Sequence, residues 1–427
     1  MKHRTYTLLL WLCLPWLLLR LRWRARTEPA YRAHWGERFG RYARPVAGDV
    51  VWMHAVSVGE TRGAEPLIRA LLAQGRHLVL THMTPGGRAA ARQLFADDIE
   101  QGRVVSVYLP YDYAFAVRRF LRHFRPSLGL IMETEVWPTL LRECQRRGLP
   151  VVLANARLSQ KSAARGRRLG AVMQQSAARL SLVLAQTQAD AERLKTLGAR
   201  RVVVTGNLKF DVSVKAEAQA LGLRWRQQIG QRPVLLLAST REAQGQQEEE
   251  LWLQALQNRD WPQDLLLVLV PRHPQRFQAV AELAQRYGWP TQRRSSGETI
   301  APQTRLWLGD SMGELGAYYT LADLAFVGGS LVPLGGQNLI EACAYGCPVL
   351  MGRSTYNFSQ AVEDAVQAQA ARLIDSAEQG AGLALQLLVA PGELLQMRNA
   401  AEQFCHLHRG ATARTLETLE RERLTLQ

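Results

Sequence analysis

Cysteine is scarce in this sequence and badly placed for cross-linking. The 427 residues hold five, at Cys13, Cys144, Cys343, Cys347 and Cys405, with no CxxC pair. That pattern argues against a disulfide framework or a zinc module, and the thiols read as reduced residues of a cytosolic compartment. Cys343 and Cys347 are four apart, but Gly346 and Pro348 break a helix there and no third ligand is near, so no metal site is expected. No Gly-Lys-Ser/Thr loop occurs, and no GxGxxG follows the first strand-like run, so neither a Walker loop nor a dinucleotide fingerprint is present. Short repeats and long low-complexity tracts are also missing. Acidic side chains are under-represented: 37 Asp and Glu against 53 Lys and Arg leave a formal charge of +16. Such an excess calls for an anionic partner, whether a phosphorylated ligand, an anionic lipid surface or nucleic acid. Nucleic acid is disfavoured, because the basic residues are scattered rather than interleaved with aromatics and no RRM, KH or helix-turn-helix pattern is visible.

A hydrophobic fraction of 47% over this length provides for two or three domains with sizeable cores. The chain opens with an uncharged run, residues 5–19, followed by Arg20, Arg22, Arg24 and Arg26. At about 1.5 Å per residue the run is shorter than a ~30 Å hydrocarbon core. A cleaved signal peptide would need small residues where the arginines stand. A spanning helix that extends through Leu21 and Trp23, and an interfacial anchor suited to Pro15 and the tryptophans, both remain open. In either membrane reading the arginines keep the body of the protein on the cytoplasmic side.

Apolar runs of strand length then alternate with helical pattern. In the first half they cover residues 50–56, 77–83, 104–109, 128–132, 151–155, 182–185 and 202–205; in the second, 234–239, 265–270, 306–308, 324–327 and 349–351. Near-continuous apolar strands separated by helices indicate parallel sheets covered on both faces. The rhythm stops near Asn207 to Ala216, which marks a hinge. The expected organisation is α/β: an anchor over 1–26, one Rossmann-like domain over 27–210 and a second over 211–427 with C-terminal helices, facing each other across a cleft. Ligands of such sheets bind beyond the carboxyl ends of the strands, where the polar residues of this chain concentrate.

Five of those strand ends carry the chemistry. Gly335 and Gly336 can let a backbone approach a ligand, and Asn338 starts a helix with Glu341 one turn in, an arrangement that suits a phosphate but is also a capping box. Arg272, in "PRHP", can fork onto phosphate or sit solvated; His273 is as readily structural. Lys209 stands at the hinge, with its orientation open. Glu60 and Glu133 each follow an apolar strand, where a carboxylate can take the proton of an attacking hydroxyl; Glu60 can equally serve as the carboxylate of a helix start.

Taken in order, "HAVSVGE", "THMTPGG", "METEVWP", "LANARLSQKSAA", "VTGNLKFD", "VPRHPQRF" and "GDSMGELGAYYTLADLAFVGGSLVPLGGQNLIEA" span most of the chain and resemble the Kdo (3-deoxy-D-manno-octulosonic acid) transferases of lipopolysaccharide synthesis. The resemblance implies a GT-B glycosyltransferase at the cytoplasmic face of the inner membrane, with CMP-Kdo as donor, a lipid A precursor as acceptor, inversion at the anomeric carbon, and neither metal nor cofactor. It implies Glu60 as proton acceptor and Glu133 and Lys209 as transition-state stabilisers. It assigns CMP binding to Pro271, Arg272, Met312, Gly313, Glu314, Asn338, Leu339, Ile340 and Glu341. Gln337, Leu339, Arg353 and Ser354 depart from common family residues, which bears on the detail of the donor pocket. A UDP-sugar transferase of the same fold with a lipid acceptor is the alternative reading.

Overall fold

The computed structural model describes residues 3–43, 45–46, 48–212, 214–257 and 259–424. The chain divides into two compact units, Met1–Asp211 together with Arg409–Gln427, and Val212–His408. The expected boundary at 210/211 lies one residue from the observed crossing. The C-terminal segment differs: the expectation gave all of 211–427 to the second domain, whereas the helix Ala411–Arg421 packs in the first unit. Ala411 and Leu419 are buried there with Leu208. Amphipathic spacing shows that a helix has an apolar face, but not which core receives it.

The first unit opens with helix α1 (His3–Thr27) and is built on seven strands: β1 (Val50–His54), β2 (His77–His82), β3 (Val104–Tyr108), β4 (Leu128–Met132), β5 (Val151–Ala156), β6 (Leu182–Ala185) and β7 (Val202–Val204). All pair in parallel in the order β3-β2-β1-β4-β5-β6-β7. Successive side chains alternate between two cores, as a pleated strand requires. Val51, Met53, Leu78, Leu80 and Leu130 face the helix α2 (Val58–Ala73) through Leu67, Ile68 and Leu71. Val50, Trp52, Val79, Ile131 and Leu153 face Phe120, Leu121 and Phe124. Trp52 stands opposite Gly129 in the β1–β4 register. A Cβ at Gly129 would come within 2.7 Å of the indole, so glycine is what lets β4 lie beside the tryptophan.

The second unit repeats the scheme with β8 (Val234–Thr240), a short hairpin β9 (Glu242–Ala243) and β10 (Gln246–Gln247), then β11 (Leu266–Pro271), β12 (Thr291–Arg293), β13 (Leu306–Leu308), β14 (Leu324–Val327), β15 (Val349–Gly352) and β16 (Ala371–Ile374). Its seven-stranded sheet runs β12-β13-β11-β8-β14-β15-β16, again parallel. Every apolar run expected to be a strand is one. The edge strands β12 and β16 and the hairpin were not expected. β12 reads Thr-Gln-Arg and is only half-buried, so its sequence carries no apolar signal.

In each sheet the strand order reverses beside the first strand, between β1 and β4 and between β8 and β14. At such switch points the connections diverge to opposite faces and open a crevice at the strand ends. Glu60 follows β1 and Glu133 follows β4; Arg241 follows β8 and the Gly328–Gly329 pair follows β14.

Candidate active site

Glu60 occupies the third position of α2, whose first turn is capped by Ser57. The Glu60 carboxylate accepts the Val56 N–H at 2.9 Å and the Ser57 hydroxyl at 3.2 Å, while Ser57 Oγ accepts the Glu60 N–H at 3.5 Å. Ser57 and Glu60 form a variant of the capping box in which the carboxylate accepts the N–H of Val56, the residue before the cap, in place of that of Ser57, so the carboxylate is a helix-start group by structure. Its setting is nevertheless chemically unusual. Burial pushes its pKa from 4.5 to about 7, and the charges of Glu133 and Glu135 add to the rise, while the Val56 and Ser57 hydrogen bonds oppose it. Gly59 is not needed for the turn: a Cβ there would meet open space, and its backbone is helical.

Glu133 sits at φ 59°, in the left-handed region, directly after β4, and is buried. Its backbone N–H reaches Ala154 O at 3.0 Å, which fixes the turn. Two cations close on its carboxylate: Lys209 Nζ at 2.8 Å and Arg157 Nε at 3.0 Å. Burial pushes this carboxyl up, but Lys209 and then Arg157 outweigh it and hold it below the ordinary range. Glu133 is therefore ionised while Glu60 titrates near neutrality. Lys209, Arg157 and Glu133 by themselves sum to a net positive charge, while the charges acting on Glu60 are those of the Glu133 and Glu135 carboxylates.

Lys209 belongs to the first unit, on the 3-10 turn Leu208–Asp211. Its alkyl chain lies across α2 at Gly63, where a Cβ would meet Cε at 3.2 Å. Four further hydrogen bonds hold the turn. The Asn155 Oδ1 accepts the Leu208 N–H at 3.0 Å, and the Asn207 Oδ1 accepts the Lys209 N–H at 3.0 Å. Asp211 accepts the Gly410 and Thr412 N–H groups at 2.6 and 2.5 Å, which clasps the first turn of the last helix to the segment carrying Lys209. The chain leaves the first unit after Asp211 and re-enters it at Arg409, so one carboxylate fastens both crossings. Asn155 and Arg157 lie within the stretch "LANARLSQKSAA" after an apolar strand; the sequence reading gave them no role and did not find Ser57 or Asp211 as supports. The Ser57–Glu60 spacing was a legible signal; the Asp211–Gly410 contact joins residues 199 apart and had none.

In the second unit the strand ends carry the expected donor-binding residues. Pro271 is buried at the end of β11, and the Arg272 N–H bonds Thr240 O at 3.1 Å. Tyr319 is fully buried, which raises its phenol well above the usual value; Glu341 raises it further and Arg272 opposes. Arg272 and Glu341 thus act on one buried hydroxyl. Met312 is exposed, Gly313 has φ 84°, and Glu314 takes a bidentate pair from Arg294 at 2.9 and 3.1 Å. Arg294 in turn covers the Trp225 ring at 5.3 Å. Asn338 caps the helix Leu339–Ala344 through Ile340 N–H at 3.1 Å. That helix has six residues, so its dipole is weaker than a long helix would supply. Gly335 and Gly336 have φ of 81° and 74°, and a Cβ on them would clash with Tyr356, Asn357 and Met351. The protein's own packing thus requires both glycines. Ser354, one of the departures, accepts the Gly335 N–H at 3.0 Å.

The support of this loop is Glu248, which sequence reasoning did not identify. It is fully buried. One oxygen accepts Arg241 N–H at 2.9 Å and Gly329 N–H at 2.6 Å; the other accepts Ser330 and Leu331 N–H, each at 3.0 Å. Glu248 therefore ties the chain after β8 to the chain after β14 at the switch point.

The family model for 3-deoxy-D-manno-octulosonic-acid transferase (kdotransferase) matches residues 33–212. A 3-deoxy-D-manno-octulosonic acid transferase of Bordetella pertussis is 44% identical over 393 residues, 91% of this chain and 90% of the relative. One of Haemophilus influenzae is 36% identical over 97% of both chains. Among solved structures, UDP-GlcNAc 2-epimerase from Neisseria meningitidis aligns with a TM-score of 0.57 at 17% identity, covering 88% of this chain and 100% of that one; this likeness is one of fold. With relatives of that identity along nearly its whole length, the chain belongs to the 3-deoxy-D-manno-octulosonic acid (Kdo) transferases, a family of glycosyltransferases.

Proposed function

We propose that this protein transfers Kdo from CMP-Kdo to the lipid A precursor lipid IVA, with inversion and without metal or cofactor, at the cytoplasmic face of the inner membrane. Glu60 takes the proton of the acceptor sugar hydroxyl as that oxygen attacks the anomeric carbon of Kdo. The bond to the CMP phosphate oxygen breaks, and CMP carries away the electron pair. Lys209, Arg157 and Glu133 form a cluster of net positive charge that stabilises negative charge developing in the transition state, an electrostatic contribution that needs no movement at the moment of reaction. The loops at Pro271–Arg272, Met312–Glu314 and Asn338–Glu341 hold CMP.

One observation carries the reading: a half-buried carboxylate with a pKa of about 7 stands near a second, buried carboxylate kept ionised by two cations. Environments that push two carboxylates apart in this way separate a base from an electrostatic stabiliser. The excess of positive charge suits a bisphosphorylated lipid and an anionic bilayer. The test is mass spectrometry of lipid IVA incubated with the purified protein and CMP-Kdo, with UDP-sugars as competing donors. The expected product gains Kdo only from CMP-Kdo; transfer from a UDP-sugar in its place would refute the assignment.

A further inference from the structure

Helix α1 carries two apolar rows on opposite sides, and among the described residues one of them packs on the body of the protein. On the first side Tyr6, Leu10, Leu14, Leu17, Leu21 and Ala25 recur at steps of four, four, three, four and four. Leu21 and Ala25 are buried in one cluster with Tyr31, Tyr111, Tyr113 and Ala116, and Leu10, Leu14 and Leu17 pack against it. Polar contacts reinforce the seat. The Tyr113 hydroxyl donates to Leu10 O at 2.6 Å, and the Tyr6 hydroxyl donates to Asp112 at 2.8 Å. Asp112 is buried and also accepts the Thr139 and Leu140 N–H groups at 2.8 and 2.7 Å, so its place is fixed by the start of another helix. Contact with the body therefore runs from Tyr6 to Ala25, about 28 Å of helix at ~1.5 Å per residue.

On the other side Leu8, Leu12, Trp16, Leu19 and Trp23 recur at four, four, three and four, and each is 60–68% exposed. At ~100° per residue the two rows lie about 170° apart. The helix contains no acidic residue, and Arg4, Arg20, Arg22 and Arg26 lie beside or beyond the exposed row. Arg20 stacks over Trp16 at 5.4 Å. Arginines that can reach up to headgroup phosphates beside an apolar row with tryptophans match an anionic bilayer in charge and in chemistry.

We infer that α1 is an in-plane membrane helix: it stays docked on the first unit and sets its outer row into an anionic bilayer without crossing it. A crossing of a ~30 Å core would use nearly the whole helix. The inner row would have to leave the body, exposing Tyr111 and Tyr113 and depriving Asp112 of the Tyr6 hydroxyl. The inference rests on the membrane reading above and decides how that membrane is met.

The test uses the full chain with Cys13→Ser and a single new thiol, His3→Cys or Arg26→Cys, labelled by a membrane-impermeant maleimide in spheroplasts and in inverted vesicles. Both positions are expected to label from the cytoplasmic side only; labelling of position 3 from the opposite side would overturn the in-plane assignment. In a second measurement, the protein is floated with phosphatidylglycerol-containing vesicles. The variant Leu8→Gln/Leu12→Gln/Leu19→Gln is expected to lose vesicle partition by about a hundredfold or more, with an unchanged melting temperature. Failure of the wild type to float, equal flotation of the variant, or a dimer that the variant dissolves would each refute the lipid as occupant. Neither readout uses the transfer reaction, so inactivity towards CMP-Kdo in a correctly oriented protein counts against the proposed function alone.

Discussion

Replacing Glu60 with glutamine separates its electrostatic cost from its chemical use. The folded carboxyl titrates at about 7 against an ordinary 4.5, so the fold holds the proton more tightly than the unfolded chain does. The stability this contributes is fully present below about pH 4.5 and is lost as the pH rises through about 7. A difference of about 2.5 units at ~1.36 kcal/mol each is about 3 kcal/mol, an upper figure for a group with partial solvent access. Glutamine keeps a carbonyl oxygen for one of the two hydrogen bonds to Val56 and Ser57 and removes the charge. The variant is therefore expected to match the wild type in urea denaturation at pH 4.5 and to exceed it by about 1–2 kcal/mol at pH 8. Transfer is expected to fall by about 10²–10⁴-fold, the contribution of a positioned base. Wild-type activity should rise with pH through about 7. Near wild-type transfer by a folded variant would refute the base; a stability difference independent of pH would refute the electrostatic account of the site.

The remaining predictions concern the groups around that carboxylate and its counterpart in the second unit. Lys209→Met strips one of the two cations from a buried Glu133 and should cost about 3 kcal/mol in denaturant; adding Glu133→Gln should recover most of the stability and none of the transfer. Asp211→Ala removes the carboxylate that accepts two backbone N–H groups at the last helix and should cost about 1–2 kcal/mol, lowering kcat for transfer more than it raises KM for the donor. Glu248→Gln turns an amide nitrogen toward backbone donors and should raise KM for the nucleotide donor while leaving the pH midpoint of kcat unchanged. His54 and His82 are buried, which holds their imidazoles down at about 3 and about 4. Both are neutral in the fold and charge on unfolding in mild acid, so stability should fall as the pH drops from about 6.5 toward 4, read by urea titrations at several pH values.

The strands were legible because a parallel strand buried on both faces must be apolar nearly throughout. Residues 128–132 and 324–327 could scarcely be read otherwise, whereas β12 and β16 lie at a sheet edge and carry polar residues. The candidate chemistry was legible as polar groups after apolar strands: position singled out Glu60, Glu133 and Arg272 but left Glu60 and Arg272 with structural alternatives, and the family resemblance supplied the roles. Its supports were not. Asp211 and Glu248 are unremarkable acids in sequence, and each gains meaning from backbone N–H groups about 80 to 200 residues away.

The sequence by itself determined the element types, the parallel sheets and the strand ends where chemistry is concentrated, because hydrophobic period and chain direction are local properties. It also carried both apolar rows of α1, written as steps of three and four. Only the tertiary structure decided which of those rows is covered, and which core takes the C-terminal helix. It also decided that Glu133 is paired twice while Glu60 is left to titrate near neutrality. Those outcomes depend on burial and on charges brought together by packing, and desolvation and Coulomb interactions act through space rather than along the chain.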